Sequence, residues 1–164
     1  MADKVTPLRE TDAEARAIAT GLIATARIAA PGVVEPETGA PFVSQIAFGL
    51  APDGAPITLI SDLALHTQVL RQDPRASLLI AAPKPRGDPM AHPRLTLRVR
   101  AHFIPDDAPE RPALREDWLA QHPKSRLYVG FADFHLVRFE ILTAHLNAGF
   151  GKAYALDRND LKVT

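Results

Sequence analysis

Ser61-Asp62-Leu63-Ala64-Leu65-His66-Thr67-Gln68-Val69-Leu70-Arg71-Gln72-Asp73-Pro74-Arg75-Ala76-Ser77-Leu78 passes from a turn into a helix and back into a strand. The run before it, Ile57-Thr58-Leu59-Ile60, is short and apolar, as a buried strand requires. The pattern predicts a short helix over Leu63–Gln72. Asp73-Pro74 ends it, because the residue before a proline avoids the helical region. Ser77–Ala82 is nearly all apolar and reads as the next strand.

Working outward, Pro41–Phe48 is strand-like, with Val43, Gln45 and Ala47 on one face and Phe42, Ser44, Ile46 and Phe48 on the other. Ala51-Pro52-Asp53-Gly54 makes a turn, since proline presets one dihedral and glycine accepts a positive one. Ile57–Ile60 is then the returning strand of a hairpin. Towards the N-terminus, Thr11-Asp12-Ala13-Glu14 has the form of a capping box opening a helix over Asp12–Ala29. Pro31-Gly32 stops that helix or forces an early turn. Downstream, residues 83–93 hold four prolines and a glycine and form a loop fit for the rim of a site. Leu95, Leu97, Val99 and Ala101 alternate with Thr96, Arg98, Arg100 and His102, the signature of a half-buried strand. Residues 109–122 read as a helix carrying Trp118, and Leu136–Leu146 as the final strand. A polar tail frays from Asp157 onward. Strands joined by hairpins, with few helices, predict an antiparallel, barrel-like α+β domain. One domain spans residues 1–164, with its core over 12–156 and a tail over 157–164.

Composition narrows the functions. Nineteen basic residues balance nineteen acidic ones, which leaves no electrostatic basis for binding nucleic acid or a membrane surface. Without cysteine there is no disulfide, no thiol catalysis and no Cys-ligated metal site. The charged opening MADKVTPLRETDAEA lacks the apolar segment of a secretion signal, so the expected location is cytoplasmic. No run approaches the ~20 apolar residues needed to cross a bilayer. Neither GxGxxG nor GxxxxGK[ST] occurs.

Several pieces of the chain share one resemblance. Ser61–Leu78, Pro41-Phe42-Val43-Ser44, Gly87-Asp88-Pro89 with His92–Leu97, Tyr128–Phe134 and Gly149-Phe150-Gly151 occur in the order and spacing seen in one family. Over residues 12–156 the chain resembles the haem-utilisation branch of the pyridoxamine 5′-phosphate oxidase-like proteins. That resemblance implies a mostly antiparallel six-stranded split β-barrel with flanking helices, a homodimer, and FMN at the dimer interface.

A flavin phosphate is a dianion and needs donors or cations pointed at it. Ser61, His66 and Thr67 offer donors around the start of the short helix, and the resemblance makes His66 the leading phosphate ligand. By the same resemblance Ser44 and Gln45 lie near the phosphate, ribityl chain and ring. Arg94 and Thr96 close the site from the far side, and Lys152 reaches towards the partner's flavin. Each residue also has a plainer reading. Ser61 and Asp62 serve equally well as helix caps. His66, Ser44 and Gln45 fit a solvated surface, Arg94 fits a pairing with Asp88 or Asp62, and Trp118 fits the core or an interface.

Two departures stand out. Pro31-Gly32 interrupts Ala29–Glu35, the first strand of such proteins, and proline is largely confined to strand edges and bulges. The basic C-terminal residues of true pyridoxamine phosphate oxidases are not recognisable, so that activity is not expected. The main expectation is an FMN-dependent oxidoreductase acting on a small-molecule substrate or electron donor, in which the flavin itself supplies the redox chemistry. A second is a haem-binding or haem-degrading protein, with His92, His135 or His145 as axial ligand. Haem-degrading relatives usually carry an additional C-terminal domain that does not follow before Thr164. A third is a non-catalytic module for flavin or another phosphate-bearing ligand. No metal site is expected.

Overall fold

Asp12 opens the first helix by accepting a 2.7 Å hydrogen bond from the backbone N–H of Ala15. Asp12 is therefore the cap, in place of the expected Thr11–Glu14 box. Thr11 instead donates its hydroxyl to the Ala155 carbonyl. The computed structural model describes residues 8–81 and 86–161. Readings that fell on residues 1–7, 82–85 and 162–164 lie outside them, including the end of the Ser77–Ala82 strand and the end of the tail.

In chain order the elements are β1 (Leu8–Arg9), α1 (Ala13–Thr25), β2 (Ile28–Val34), β3 (Pro41–Val43), β4 (Ile46–Ala47), β5 (Gly49–Leu50), β6 (Pro56–Ser61), α2 (Leu65–Gln72), β7 (Arg75–Ala81), β8 (Arg94–Phe103), α3 (Arg111–Gln121), β9 (Phe134–Asn147) and β10 (Ala153–Asp157). Among the described residues the sheet has ten strands. Its closed circuit runs through six, because β3, β4 and β5 are pieces of one interrupted strand. β2 pairs with β4, β5 with β6, β6 with β9, β9 with β8, β8 with β7, and β7 with β2 again. This is the expected α+β split barrel. Along one edge of the 14-residue β9, Phe134–Arg138 pair with β6 and Thr143–Asn147 pair with β10, and the split lies between them.

Two expectations are corrected at β2. α1 stops at Thr25, four residues short of the expected Ala29. The chain then leaves helical geometry because the residues from Ile28 onward alternate between outside and core, which only a strand can satisfy. Pro31 and Gly32 lie inside this strand and do not break it. The Pro31 carbonyl accepts from Ser44 N at 3.2 Å. The N–H and C=O of one strand residue point to the same edge. The N–H that Pro31 lacks would therefore have faced the gap between β3 and β4, where no ladder bond is lost.

β9 is not the last strand. Tyr154 and Leu156 point inward and alternate with Ala153, Ala155 and Asp157, forming β10 antiparallel to β9. Nor does the tail fray at Asp157: Asp160 bonds Arg16 at 2.7 Å, and Leu161 is buried. Inside the barrel Leu78, Ile80, Leu95, Leu97, Val99 and Leu146 fill the main core. A second apolar cluster beneath α3 centres on Trp118. Among the described residues no helix is long and apolar enough to cross a membrane.

Candidate functional site

Where β6 turns into α2, the polar side chains face one another more than they face outward. Ser61 donates its hydroxyl to Asp133 Oδ2 at 2.7 Å and accepts from Leu63 N at 3.1 Å. The Asp62 carboxylate takes His135 Nε2 at 2.7 Å and Arg71 Nε at 3.1 Å. The His135 contact first, and Arg71 with it, hold the Asp62 carboxyl below its usual range. Arg71 also lies over the Phe103 ring, 4.3 Å from its centroid. Neither Ser61 nor Asp62 caps α2, whose N-cap is Ala64 with no side-chain bond. The helix begins later than the sequence predicted, and these two side chains reach β9 and its approach instead.

One turn further, the structure brings together two of the expected site residues. Ser44 Oγ lies 2.9 Å from His66 Nδ1, joining the gap between β3 and β4 to the first turn of α2. His66 is only 9% exposed, so it is no surface histidine. Burial pushes its imidazole below the ordinary range. The neighbouring Thr67 hydroxyl is fully buried and has no hydrogen-bond partner.

This burial sets a pH dependence. The folded chain holds His66 neutral, while the unfolded chain takes up a proton near pH 6.5. The stabilising contribution is present above that pH and is lost as pH falls through the lower folded value. Urea midpoints at pH 7.5 and 5.5 should therefore drop more for the wild type than for His66→Gln. Equal drops would show that His66 is not the group responsible.

The remaining candidates lie on the outer face of the barrel. Gln45 lines an open recess of about 450 Å³ whose other walls include Arg27, Ile28, Ala30, Leu79 and Ala81. Register places Ala30, Leu79, Thr96 and His145 in one row across β2, β7, β8 and β9. Their neighbours Ala29, Leu78, Leu95, Leu97, Ala144 and Leu146 all point into the core, so this row points out. Neighbouring strands are about 4.8 Å apart, which puts Thr96 about 10 Å from β2. Thr96 thus shares a face with the recess but stands apart from the Ser44–His66 pair. Arg94 lies two residues along the same face and donates to the Met90 carbonyl at 3.2 Å. It pairs with neither expected carboxylate, since Asp88 caps the Pro89–Ala91 turn and Asp62 is held by His135 and Arg71.

The histidines differ in how committed they are. His92 Nε2 lies 2.6 Å from the Arg86 carbonyl, and His135 is bound to Asp62. His145 is exposed on the outer row, with no hydrogen bond among the described residues. The alternation Ala144, His145, Leu146 carried this placement in the sequence. The Asp133–Ser61 and His135–Asp62 bonds link residues more than seventy apart and had no local signal. Trp118 belongs to the core, and Lys152 lies exposed within the β9–β10 turn. Among the described residues no three His, Asp or Glu side chains gather as a metal site.

A family model described as "CREG, beta-barrel" matches residues 10–161. The chain belongs to the CREG β-barrel family. It is 33% identical over 116 residues to an Arabidopsis thaliana protein named "Non-canonical heme oxygenase HOZ, chloroplastic", a match covering 71% of this chain and 34% of that protein. A solved heme binding protein from Mycobacterium smegmatis superposes with a TM-score of 0.82 at 28% identity, over 93% of this chain and 61% of that one. The chain therefore spans about a third of the first relative and about three-fifths of the second. A pyridoxinephosphate oxidase-family protein from Clostridium acetobutylicum shares the fold alone, with a TM-score of 0.69 at 14% identity over 92% of this chain and 99% of its own. This member of the CREG β-barrel family thus has structural neighbours among both haem-binding proteins and the oxidase-like split barrels.

Proposed function

We propose that this chain binds haem on the outer face of β2, β7, β8 and β9, as part of the haem-utilisation branch of the oxidase-like split barrels. The observation that carries the reading is the exposed, uncommitted His145. It stands in one row with Thr96 and Leu79, and Leu79, two strands or about 10 Å away, lines a recess walled largely by small apolar side chains. A haem needs a neutral imidazole for its iron, an apolar surface for its ring and cations for its carboxylates. His145, the Ala30–Leu79–Ala81 surface and Arg94 supply these in turn. A bound haem supplies one-electron and dioxygen chemistry; the chain's own part is to seat the ring and fix the ligand. Naming of the Arabidopsis and Mycobacterium relatives for haem supports this choice.

FMN is the second reading, as cofactor of an oxidoreductase, and the Ser44–His66 contact favours it. Ser44 adjoins Gln45, which lines the recess, and a flavin phosphate would draw on Ser44 and His66. Ser61 contributes less than the sequence suggested, because its proton is already given to Asp133. Either ring would be covered by a second copy of the chain. Exposed Ile28, Val34, Val43 and Leu79 on this side of the barrel support a homodimer.

Titration of the purified protein with haemin and, separately, with FMN decides between them. Haemin should give a sharp Soret band that His145→Ala shifts and weakens by at least about tenfold in affinity. Saturation by FMN with no response to haemin would overturn the haem reading. An unaltered His145→Ala spectrum would remove His145 as the ligand.

A further inference from the structure

A second hollow lies on the same outer face, displaced along the strands from the first. It has a volume of about 390 Å³ and is lined by Gly32, Val34, Ser77, Arg98 and Leu142, with Asp73 and Arg75 at one side. Gly32, Ser77, Arg98 and Thr143 form a register row two residues from the Ala30–Leu79–Thr96–His145 row. At about 3.3 Å per residue, the two rows are about 7 Å apart along the strands. Gly32 has no side chain, which leaves the floor of this hollow open.

The charges here are unequal in their availability. Arg75 bonds Asp73 through Nε at 2.9 Å and Nη2 at 2.6 Å, so the two neutralise each other. That pairing pulls the Asp73 carboxyl down to about 2, and it stays ionised and matched at neutral pH. Arg98 sits across the hollow with neither a carboxylate nor a hydrogen bond among the described residues. An exposed arginine is ordinary. One left over beside an internally neutralised pair, facing an open floor next to an apolar recess, leaves the hollow with a net positive charge.

We infer that Arg98 is a second carboxylate-binding residue of this face beside Arg94, taking the other acid side chain carried by a planar ring seated in the neighbouring recess. Ser77, its direct cross-strand neighbour, is placed to donate a further hydrogen bond. The inference rests on the haem reading and sharpens it. The site would select a tetrapyrrole that carries free carboxylates over one whose acids are masked, because guanidinium and carboxylate form two parallel hydrogen bonds that an ester cannot accept as an anion.

The test compares haemin with haemin dimethyl ester on the 164-residue chain. The wild type should bind the diacid about tenfold more tightly than the diester. Arg98→Ala should cut that preference to about threefold by weakening the diacid, and Arg98→Lys should restore it in part. Arg115→Ala, on the distant α3 surface, should keep the full preference. A thermal unfolding midpoint measured for each variant separates lost binding from lost structure. If the wild type binds both porphyrins equally, or if Arg98→Ala keeps the full preference, the Arg98 assignment falls while the haem reading stands. If the wild type binds neither, the haem reading falls and takes this assignment with it.

Discussion

Replacing Trp118 with alanine should lower the free energy of unfolding by about 3–5 kcal/mol, the usual cost of deleting a buried aromatic side chain. Trp118 is wholly inaccessible and forms the centre of the second apolar cluster, against Ile57, Leu59, Leu114 and Leu136. Its indole stacks on His122 with ring centroids 4.2 Å apart. The space it leaves would not close easily, because α3 is stitched to the sheet on either side. Gln121 bonds both backbone groups of Leu50, at 2.9 and 2.7 Å, and His122 Nε2 reaches the Phe48 carbonyl at 2.8 Å. Cavity cost depends on how far the surroundings relax, so this site should sit high in the range. Trp118→Phe should cost markedly less, since the indole N–H makes no hydrogen bond to lose. Urea unfolding followed by circular dichroism measures both, as this is the chain's single tryptophan and the fluorescence signal disappears with it. A loss below about 1 kcal/mol for the alanine variant would contradict the packing described.

Gly149→Ala should cost about 2–3 kcal/mol, more than the usual penalty for a strained backbone position alone. Its φ is +117°, a conformation that L side chains rarely adopt. An added Cβ would also meet the Ala91 carbonyl oxygen at 3.1 Å, and a backbone atom cannot swing aside as a side chain can. The turn between β9 and β10 is fixed by its own bonds, from Ala148 N to Lys152 O at 2.8 Å and from Gly149 N to Asn147 Oδ1 at 3.1 Å. Relief of the clash would therefore have to displace either this turn or the Pro89–Ala91 turn beside Arg94. An unfolding midpoint equal to wild type would show that the hairpin adapts freely. If the midpoint drops, haemin titration of the same variant shows whether the rim formed by these two turns contributes to the outer face.

The flavin and haem expectations differ in what each asks of the chain. A phosphate dianion needs several free donors at the entry to α2. Of those, Ser61 is engaged with Asp133 and Thr67 is shut inside, so Ser44 and His66 carry most of what remains. A haem asks for an exposed imidazole and an apolar floor on one face; His145 and the Ala30–Leu79–Ala81 surface share the outer face, two strands apart.

The alternation of Leu95, Leu97 and Val99 with Thr96, Arg98 and Arg100 was enough, by itself, to fix a strand and its two faces, because side-chain direction in a strand has a period of two. The Ser61–Leu78 stretch likewise determined a strand–helix–strand passage. Tertiary structure alone decided what depended on partners distant along the chain. Pro31 sits harmlessly within β2 only because a break between β3 and β4 lies beside it. Ser61 is spent on Asp133, and Asp62 on His135, across more than seventy intervening residues. Whether a hydroxyl or carboxylate is free to meet a ligand depends on which groups the fold sets within about 3 Å of it, and a linear pattern carries no record of that.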